Sequence, residues 1–113
     1  MSKLTEELRT MGCDMDGALN RFLQDEEFYA ECYAQVMSDP SFDQLKSALD
    51  AGDVEEAFHC AHTLKGVIAN MGLTPLLNIV VDLVEPLRAG KLDGMQEKYA
   101  ALLAERKKYE ALL

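Results

Sequence analysis

His62, Lys65 and Gly66 lie together in the sequence AHTLKG, where their types and spacing could support nucleophilic chemistry. Neutral imidazole is a competent nucleophile near pH 7. Lys65 is three residues from His62, so on a helix the two side chains share one surface, and the ammonium group could stabilise an anion attached to the ring. Gly66 costs a helix interior roughly 0.5–1 kcal/mol relative to alanine, which suggests that space beside the imidazole is needed.

The same residues could also meet by chance on a solvent-exposed helix, because a lone histidine is more often incidental than catalytic. The cost of Gly66 favours the functional interpretation, since an incidental surface position has no need of glycine.

A helical wheel at about 100° per residue divides the segment from Asp53 to Met71 into two faces. The predicted core stripe consists of Ala57, Ala61, Leu64, Ile68 and Met71. His62 should then be exposed or partly exposed, with the small residues Gly66 and Ala69 close beside it. Gly66 would leave a shallow depression through which another molecule could reach a ring nitrogen.

Capping and helix-breaking residues predict that almost the whole chain is helical. The predicted starts are Asp14 or Asp16, Asp25, Pro40, Asp53, Thr74 and Asp93, and the first five helices should end near Leu23, Met37, Leu49, Met71 and Ala89. Pro86 should kink or shorten the helix that contains it.

Short connections between these helices favour antiparallel neighbours. We therefore expect an all-α fold, an antiparallel up-and-down four-helix bundle with one or two short N-terminal helices. Residues 1–113 should form a single domain, in which residues 1–12 either fray or form a covering helix.

Composition and charge exclude several classes of partner. The formal net charge of -9 disfavours nucleic acid and anionic membrane surfaces. The nearly apolar stretch from Leu76 to Val84 is too short to cross a bilayer, and the acidic residues of MSKLTEELRT do not fit a signal peptide. We expect a cytoplasmic monomer whose three cysteines are reduced, and no pattern typical of a metal site is present.

The segment AFHCAHTLKGVIANMGLTPL resembles the signature of histidine-containing phosphotransfer (HPt) domains of bacterial phosphorelays. The likeness covers about residues 14–112 and is most specific over 50–72. It implies a four-helix bundle with one phosphorylatable histidine on an exposed face. By this resemblance His62 is the phospho-acceptor, Lys65 stabilises the phosphoryl group, Gly66 gives partners access, and Gly72 ends the helix.

The chain departs from the family pattern just after the glycine, where Val67 and Ile68 replace small or hydroxylated residues. Both should point away from His62. Pro86 is also unusual for the following helix.

Four further residues are weaker candidates. Phe58 and Ala69 flank His62 on the wheel and could contact a partner, although Phe58 could equally be a core-edge residue. Arg88 could add a second positive charge near the site, or it could be a solvated arginine at a helix end. His59 could modulate the site, act as a second acceptor or be incidental.

The resemblance implies a carrier that takes a phosphoryl group from a phospho-aspartate receiver or hybrid kinase and passes it to a response regulator. A sensor or hybrid histidine kinase and receiver domains would be its partners, and the Mg²⁺ would be bound by the receiver rather than by this chain. No nucleotide-binding loop is present, so no autonomous kinase activity is expected. The main alternative is a helical module that docks receivers without relaying phosphate; a metal or cofactor bundle has little support.

Overall fold

The architecture is seen in a computed structural model that describes residues 2–113. Met1, the first residue of the segment predicted to fray or cover the bundle, lies outside the described residues. Within residues 2–113 the regular structure is entirely helical. The helices are α1 (Lys3–Thr10), α2 (Met15–Arg21), α3 (Glu26–Met37), α4 (Ser41–Asp50), α5 (Val54–Asn70), α6 (Thr74–Arg88) and α7 (Met95–Glu110).

The longer helices surround one apolar core. Helix α4 packs on α5, α5 on α6 and α6 on α7, and α7 contacts both α3 and α4. The chain breaks between α3 and α4 at Ser38 to Pro40, as Pro40 predicted. The all-α class and the helical bundle are confirmed. The antiparallel up-and-down order stays a prediction, which the short connections favour.

Three predicted N-caps are confirmed. The carboxylates of Asp14, Asp25 and Asp53 accept hydrogen bonds from the backbone N–H groups of the third residue that follows each, at 3.0, 3.0 and 3.1 Å. Asp14, and not Asp16, therefore caps α2, because its side chain satisfies an N–H group of the first turn.

The prediction that Asp93 begins the last helix is wrong. Gly94 is the N-cap of α7, with φ of 74° and no side-chain cap hydrogen bond. Glycine adopts this left-handed conformation without a Cβ clash, so it can turn the chain into the helix where an aspartate cap is not used.

The N-terminal segment covers the bundle rather than fraying over residues 2–12. Ser2 caps α1 by accepting a hydrogen bond from the Thr5 N–H at 3.2 Å. Thr5 also donates to the Glu26 carboxylate at 2.7 Å, which ties α1 to the first turn of α3. Leu8 is fully buried in the core.

Pro86 does not shorten its helix, because α6 continues past it to Arg88. Proline has no N–H, so the Asp82 carbonyl one turn earlier loses its helical partner. Lys98 of α7 donates to that carbonyl at 3.2 Å. The missing backbone hydrogen bond is thus replaced by a contact between two helices.

None of the helices in residues 2–113 combines the length and the apolar character needed to cross a membrane.

Candidate functional site

Helix α5 presents the candidate site on its solvent-facing side. The core stripe predicted for it is confirmed, since Ala57, Ala61, Leu64, Ile68 and Met71 are all buried. His62, one position after the buried Ala61, is exposed. The prediction that His62 stands outside the core is therefore confirmed, and the helix orients it through the burial of the opposite face.

Contacts at the C-terminal end of α5 hold the helix in place. Arg21 of α2 donates to the carbonyls of Asn70 and Ala69 at 3.1 and 3.0 Å, and the Tyr29 hydroxyl donates to the Met71 carbonyl at 2.7 Å. The Ala69 carbonyl also accepts the Gly72 N–H at 3.0 Å, whereas side chains of α2 and α3 supply the partners of the Asn70 and Met71 carbonyls at the helix end. Arg21 carries no local sequence signal for this role, because its partners lie far along the chain.

The turn after α5 is also closely packed. Gly72 has φ of +75°, and a Cβ there would lie 2.4 Å from the Asp14 carbonyl oxygen. The Asp14 N–H donates to the Gly72 carbonyl at 2.8 Å. Glycine is therefore required at position 72 both by the backbone conformation and by the close approach of α2.

Gly66 differs from Gly72 because it has open space beside it. Apart from its chain neighbours and the backbone of its own helix, a Cβ added to Gly66 would meet no atom of the described residues within 4 Å. Internal packing therefore gives no reason for glycine at this position, whereas access from outside does. Beside Gly66 and Val67 lies a groove of about 570 Å³, whose opposite wall includes Cys32 and Val36 of α3.

Lys65 is partly buried on the same side of α5. In the part of the chain that the structure describes, its ammonium group has no carboxylate partner within ion-pair distance. A charge that is not neutralised by the protein remains able to interact with an incoming anion.

Phe58 and Arg88 form a stack with His62. The ring centroids of Phe58 and His62 are 5.6 Å apart at an interplanar angle of 36°. The guanidinium carbon of Arg88, at the end of α6, lies 5.1 Å from the centroid of the Phe58 ring. Arg88 also pairs with Glu85, with 3.6 Å between Nε and Oε2. The structure thus brings together three of the candidate residues, of which Arg88, on another helix, could not be connected with His62 by the helical wheel.

Phe58 combines the two interpretations that the sequence left open. It is half-buried and packs against the core, and its ring also contacts His62. Its position four residues before His62 was a signal that could have predicted the contact, because residues i and i+4 are neighbours on a helix.

Among residues 2–113, the remaining candidates make no hydrogen bond, ion pair or ring contact with the His62 side chain. His59 and Ala69 are both exposed on α5. Ile68 is buried, as expected of a residue that points away from His62, while Val67 is partly buried and lines the groove beside Gly66.

The thiol on α5 is not a competing nucleophile. Cys60 is buried, and burial, with a further contribution from the Glu56 carboxylate, raises the pKa of its thiol to about 11. The thiolate is the reactive form, so this cysteine stays protonated and unreactive near neutral pH.

Within residues 2–113, no three His, Cys, Asp or Glu side chains are grouped so that they could hold a metal ion.

A model of the Hpt domain family matches residues 28–112. Comparisons with curated proteins and with solved structures each found no match. The matched residues run from α3 to beyond the end of α7 and include the whole of α5, whereas α1 and α2 lie outside the match. Because the match covers well over half of the chain and agrees with the helical bundle, the protein belongs to the Hpt domain family of histidine phosphotransfer proteins.

Proposed function

We propose that this protein is a cytoplasmic phosphorelay carrier that accepts a phosphoryl group on His62 and hands it to a response regulator. The donor would be the phospho-aspartate of a receiver domain, free or linked to a hybrid histidine kinase. One observation carries the proposal most strongly: an exposed imidazole lies beside a glycine whose missing side chain leaves open space. The three free cysteines fit a reducing compartment.

The transfer is a displacement at phosphorus. The unprotonated ring nitrogen of His62 attacks the acyl phosphate, the N–P bond forms, and the P–O bond to the aspartate breaks. The aspartate leaves as a carboxylate, and the other ring nitrogen releases its proton to solvent. The reverse reaction passes the phosphoryl group to the next aspartate. Such transfers depend mainly on positioning and charge stabilisation, so one surface suffices.

Lys65 would stabilise the phosphoryl group while it is attached to His62, since its ammonium group shares the surface of the helix and has no carboxylate partner in the described chain. Mg²⁺ held by the receiver would neutralise further charge on the phosphoryl oxygens. The carrier itself would then need no metal or nucleotide.

Receiver domains would dock on the exposed face of α5 around His62, with Gly66 and Ala69 at the point of closest approach. A relay protein must release each partner, so we expect a small and transient interface around a polar centre. The net charge of -9 supports a protein partner rather than nucleic acid or an anionic membrane. We propose that the carrier acts as a monomer.

The proposal is tested by incubating the protein with a radiolabelled phospho-receiver. We expect acid-labile label on the wild type, none on His62→Gln and wild-type labelling of His59→Gln, which removes the other histidine of α5. Equal labelling of His62→Gln and the wild type would overturn the assignment of His62. Receiver binding without any labelled histidine would instead identify a docking module that does not relay phosphate.

A further inference from the structure

The side chain of His62 is held by ring contact rather than by a hydrogen bond. In the described chain, no hydrogen bond or ion pair involves the imidazole, and its neighbour is the Phe58 ring at 5.6 Å. Nucleophilic histidines are commonly oriented by a carboxylate or carbonyl that accepts a hydrogen bond from the second ring nitrogen. At this site, the neighbour of the imidazole is instead the aromatic ring of Phe58.

The direction of the contact matters for access to the ring. Long side chains on a helix lean toward its N-terminus, over the preceding turn. Phe58 stands on that preceding turn, whereas Gly66 lies on the following one. Contact with Phe58 therefore keeps the imidazole on one side and leaves the open space above Gly66 free for a phosphoryl donor.

Arg88 restrains Phe58 from a different helix. Its guanidinium lies 5.1 Å from the Phe58 ring centroid, within the range of a cation–π contact, and Glu85 holds it from the same helix. The half-buried Phe58 also packs against the core. The ring beside His62 is thus held by the core, by α5 and by α6 at once.

We propose that Phe58 and Arg88 are positioning residues that hold the His62 imidazole in the orientation needed for in-line attack on phosphorus. This inference rests on the proposed function of His62. Phe58 would restrict the side-chain torsions of His62, which are otherwise poorly restrained on an exposed helix face, and Arg88 would act through Phe58. The role differs from partner docking, because it should affect reaction with any phosphoryl donor.

The first experiment compares two donors, a phospho-receiver and the small molecule phosphoramidate. In the latter reaction the P–N bond breaks and ammonia leaves. We expect Phe58→Leu to slow labelling of His62 by both donors, about three- to tenfold, with the receiver KM unchanged and kcat lowered. Phe58→Tyr keeps the ring and should restore both rates.

Phe28→Leu is the matched control. Phe28 is an exposed phenylalanine whose ring contacts Phe22 and not His62; it lines the groove beside Gly66, so it serves as the control for the phosphoramidate reaction and not for receiver binding. We expect this variant to react with phosphoramidate at the wild-type rate. If Phe58→Leu raised only the receiver KM and left the phosphoramidate rate unchanged, Phe58 would be a docking residue and the inference would be overturned.

A double-mutant cycle tests whether Arg88 acts through Phe58. Arg88→Met removes the guanidinium and should slow labelling, but it should add nothing to the effect of Phe58→Leu in the double variant. Independent, multiplying effects would show that Arg88 acts separately, for example as a second charge on the phosphoryl group. That outcome would overturn its positioning role.

Nuclear magnetic resonance of the imidazole protons provides a readout that does not depend on phosphate. Phe58→Leu should remove the ring-current shift of the His62 protons and broaden the side-chain torsion distribution, while the His59 signals stay in place. Unchanged His62 signals would overturn the inference even if His62 accepts phosphate. A wild-type protein that takes label from neither donor would instead overturn the proposed function, and with it any role of the stack in transfer.

Discussion

At the scale of single residues, the candidate site combines the missing side chain of Gly66 with the ammonium group of Lys65. Gly66 provides space beside His62 that no other part of the described chain fills. Lys65 provides a positive charge with no carboxylate partner there, and the buried Cys60 on the same helix remains unreactive because its thiol has a raised pKa. Of the two exposed imidazoles of α5, those of His59 and His62, we propose that of His62 as the acceptor, because it lies beside Gly66 and Lys65.

Truncation of Lys65 should separate chemistry from stability. We expect Lys65→Ala to slow phosphoryl transfer to His62 about tenfold, because it removes the charge that we propose stabilises the phosphoryl group. The free energy of unfolding should change by no more than about 0.5 kcal/mol, as is usual for lysines without fixed partners. Transfer kinetics and urea unfolding measure the two effects.

Lys107→Ala is the control for this prediction, since Lys107 is an exposed lysine on α7. It should leave the transfer rate unchanged. If Lys65→Ala transferred at the wild-type rate at both low and high salt, the phosphoryl-stabilising role of Lys65 would be wrong.

At the scale of helices, α5 packs along its length on α4 and α6, and polar contacts hold both of its ends. Asp53 caps its start, and at its other end Arg21 and Tyr29 bind carbonyl groups that the helix leaves free. The turn at Gly72 then sends the chain into α6, which carries Arg88 back to Phe58. A substitution in this turn should therefore lower the free energy of unfolding and also displace Arg88 from Phe58.

Gly72→Ala and Gly52→Ala form a matched pair that tests this turn. Both glycines have positive φ, +75° and +68°, but a Cβ meets the Asp14 carbonyl only at Gly72. We expect Gly52→Ala to cost about 1–2 kcal/mol of unfolding free energy from backbone strain alone. Gly72→Ala should cost about 1–3 kcal/mol more, because α2 must move away.

Chemical denaturation measures both values. Equal costs for the two variants would mean that the close approach of the Asp14 carbonyl adds no penalty for a Cβ at position 72.

At the scale of the whole molecule, buried polar groups join helices that are distant in sequence. The hydroxyls of Tyr33 and Tyr99 donate to the carbonyls of Tyr109 and Phe42 at 2.6 and 2.8 Å. Arg106, which interrupts the apolar pattern of α7, lies over the Phe42 ring at 4.1 Å and donates from Nε to the Met37 carbonyl at 3.0 Å. These hydrogen bonds therefore join helices whose contacts could not be predicted from short-range sequence patterns.

The buried tyrosines predict how the fold responds to alkaline pH. Burial raises the pKa of Tyr29, Tyr33, Tyr99 and Tyr109 above the ordinary value of about 10. The unfolded chain therefore releases phenolic protons that the folded chain retains, so stability is complete below about pH 10 and decreases as the pH rises above it.

We expect phenolate absorbance and loss of helical circular dichroism to appear together, in one cooperative alkaline transition. Phenolate formation while the helical signal remains intact would contradict this prediction, because it would mean that the rings titrate in the folded state.

Local patterns in the sequence were sufficient for much of the architecture and for the core of the candidate site. A cap acts within three or four residues and a helical face repeats within a few turns, so the Asp53 cap, the buried stripe of α5 and the exposed His62 could be predicted from neighbours alone. The matched Hpt family model agrees with that interpretation over residues 28–112. Asp93 was assigned wrongly because a glycine in the left-handed conformation can replace an aspartate cap.

Only the tertiary structure decided what surrounds the helix. Lys98 satisfies the carbonyl that Pro86 leaves free, Arg21 binds the end of α5, and Arg88 lies against Phe58. Each of these contacts joins residues on different helices, and their distances depend on how the helices pack rather than on any spacing along the chain. The sequence by itself determined that a histidine faces solvent; the packing of α6 against α5 determined that Arg88 lies over the Phe58 ring beside it.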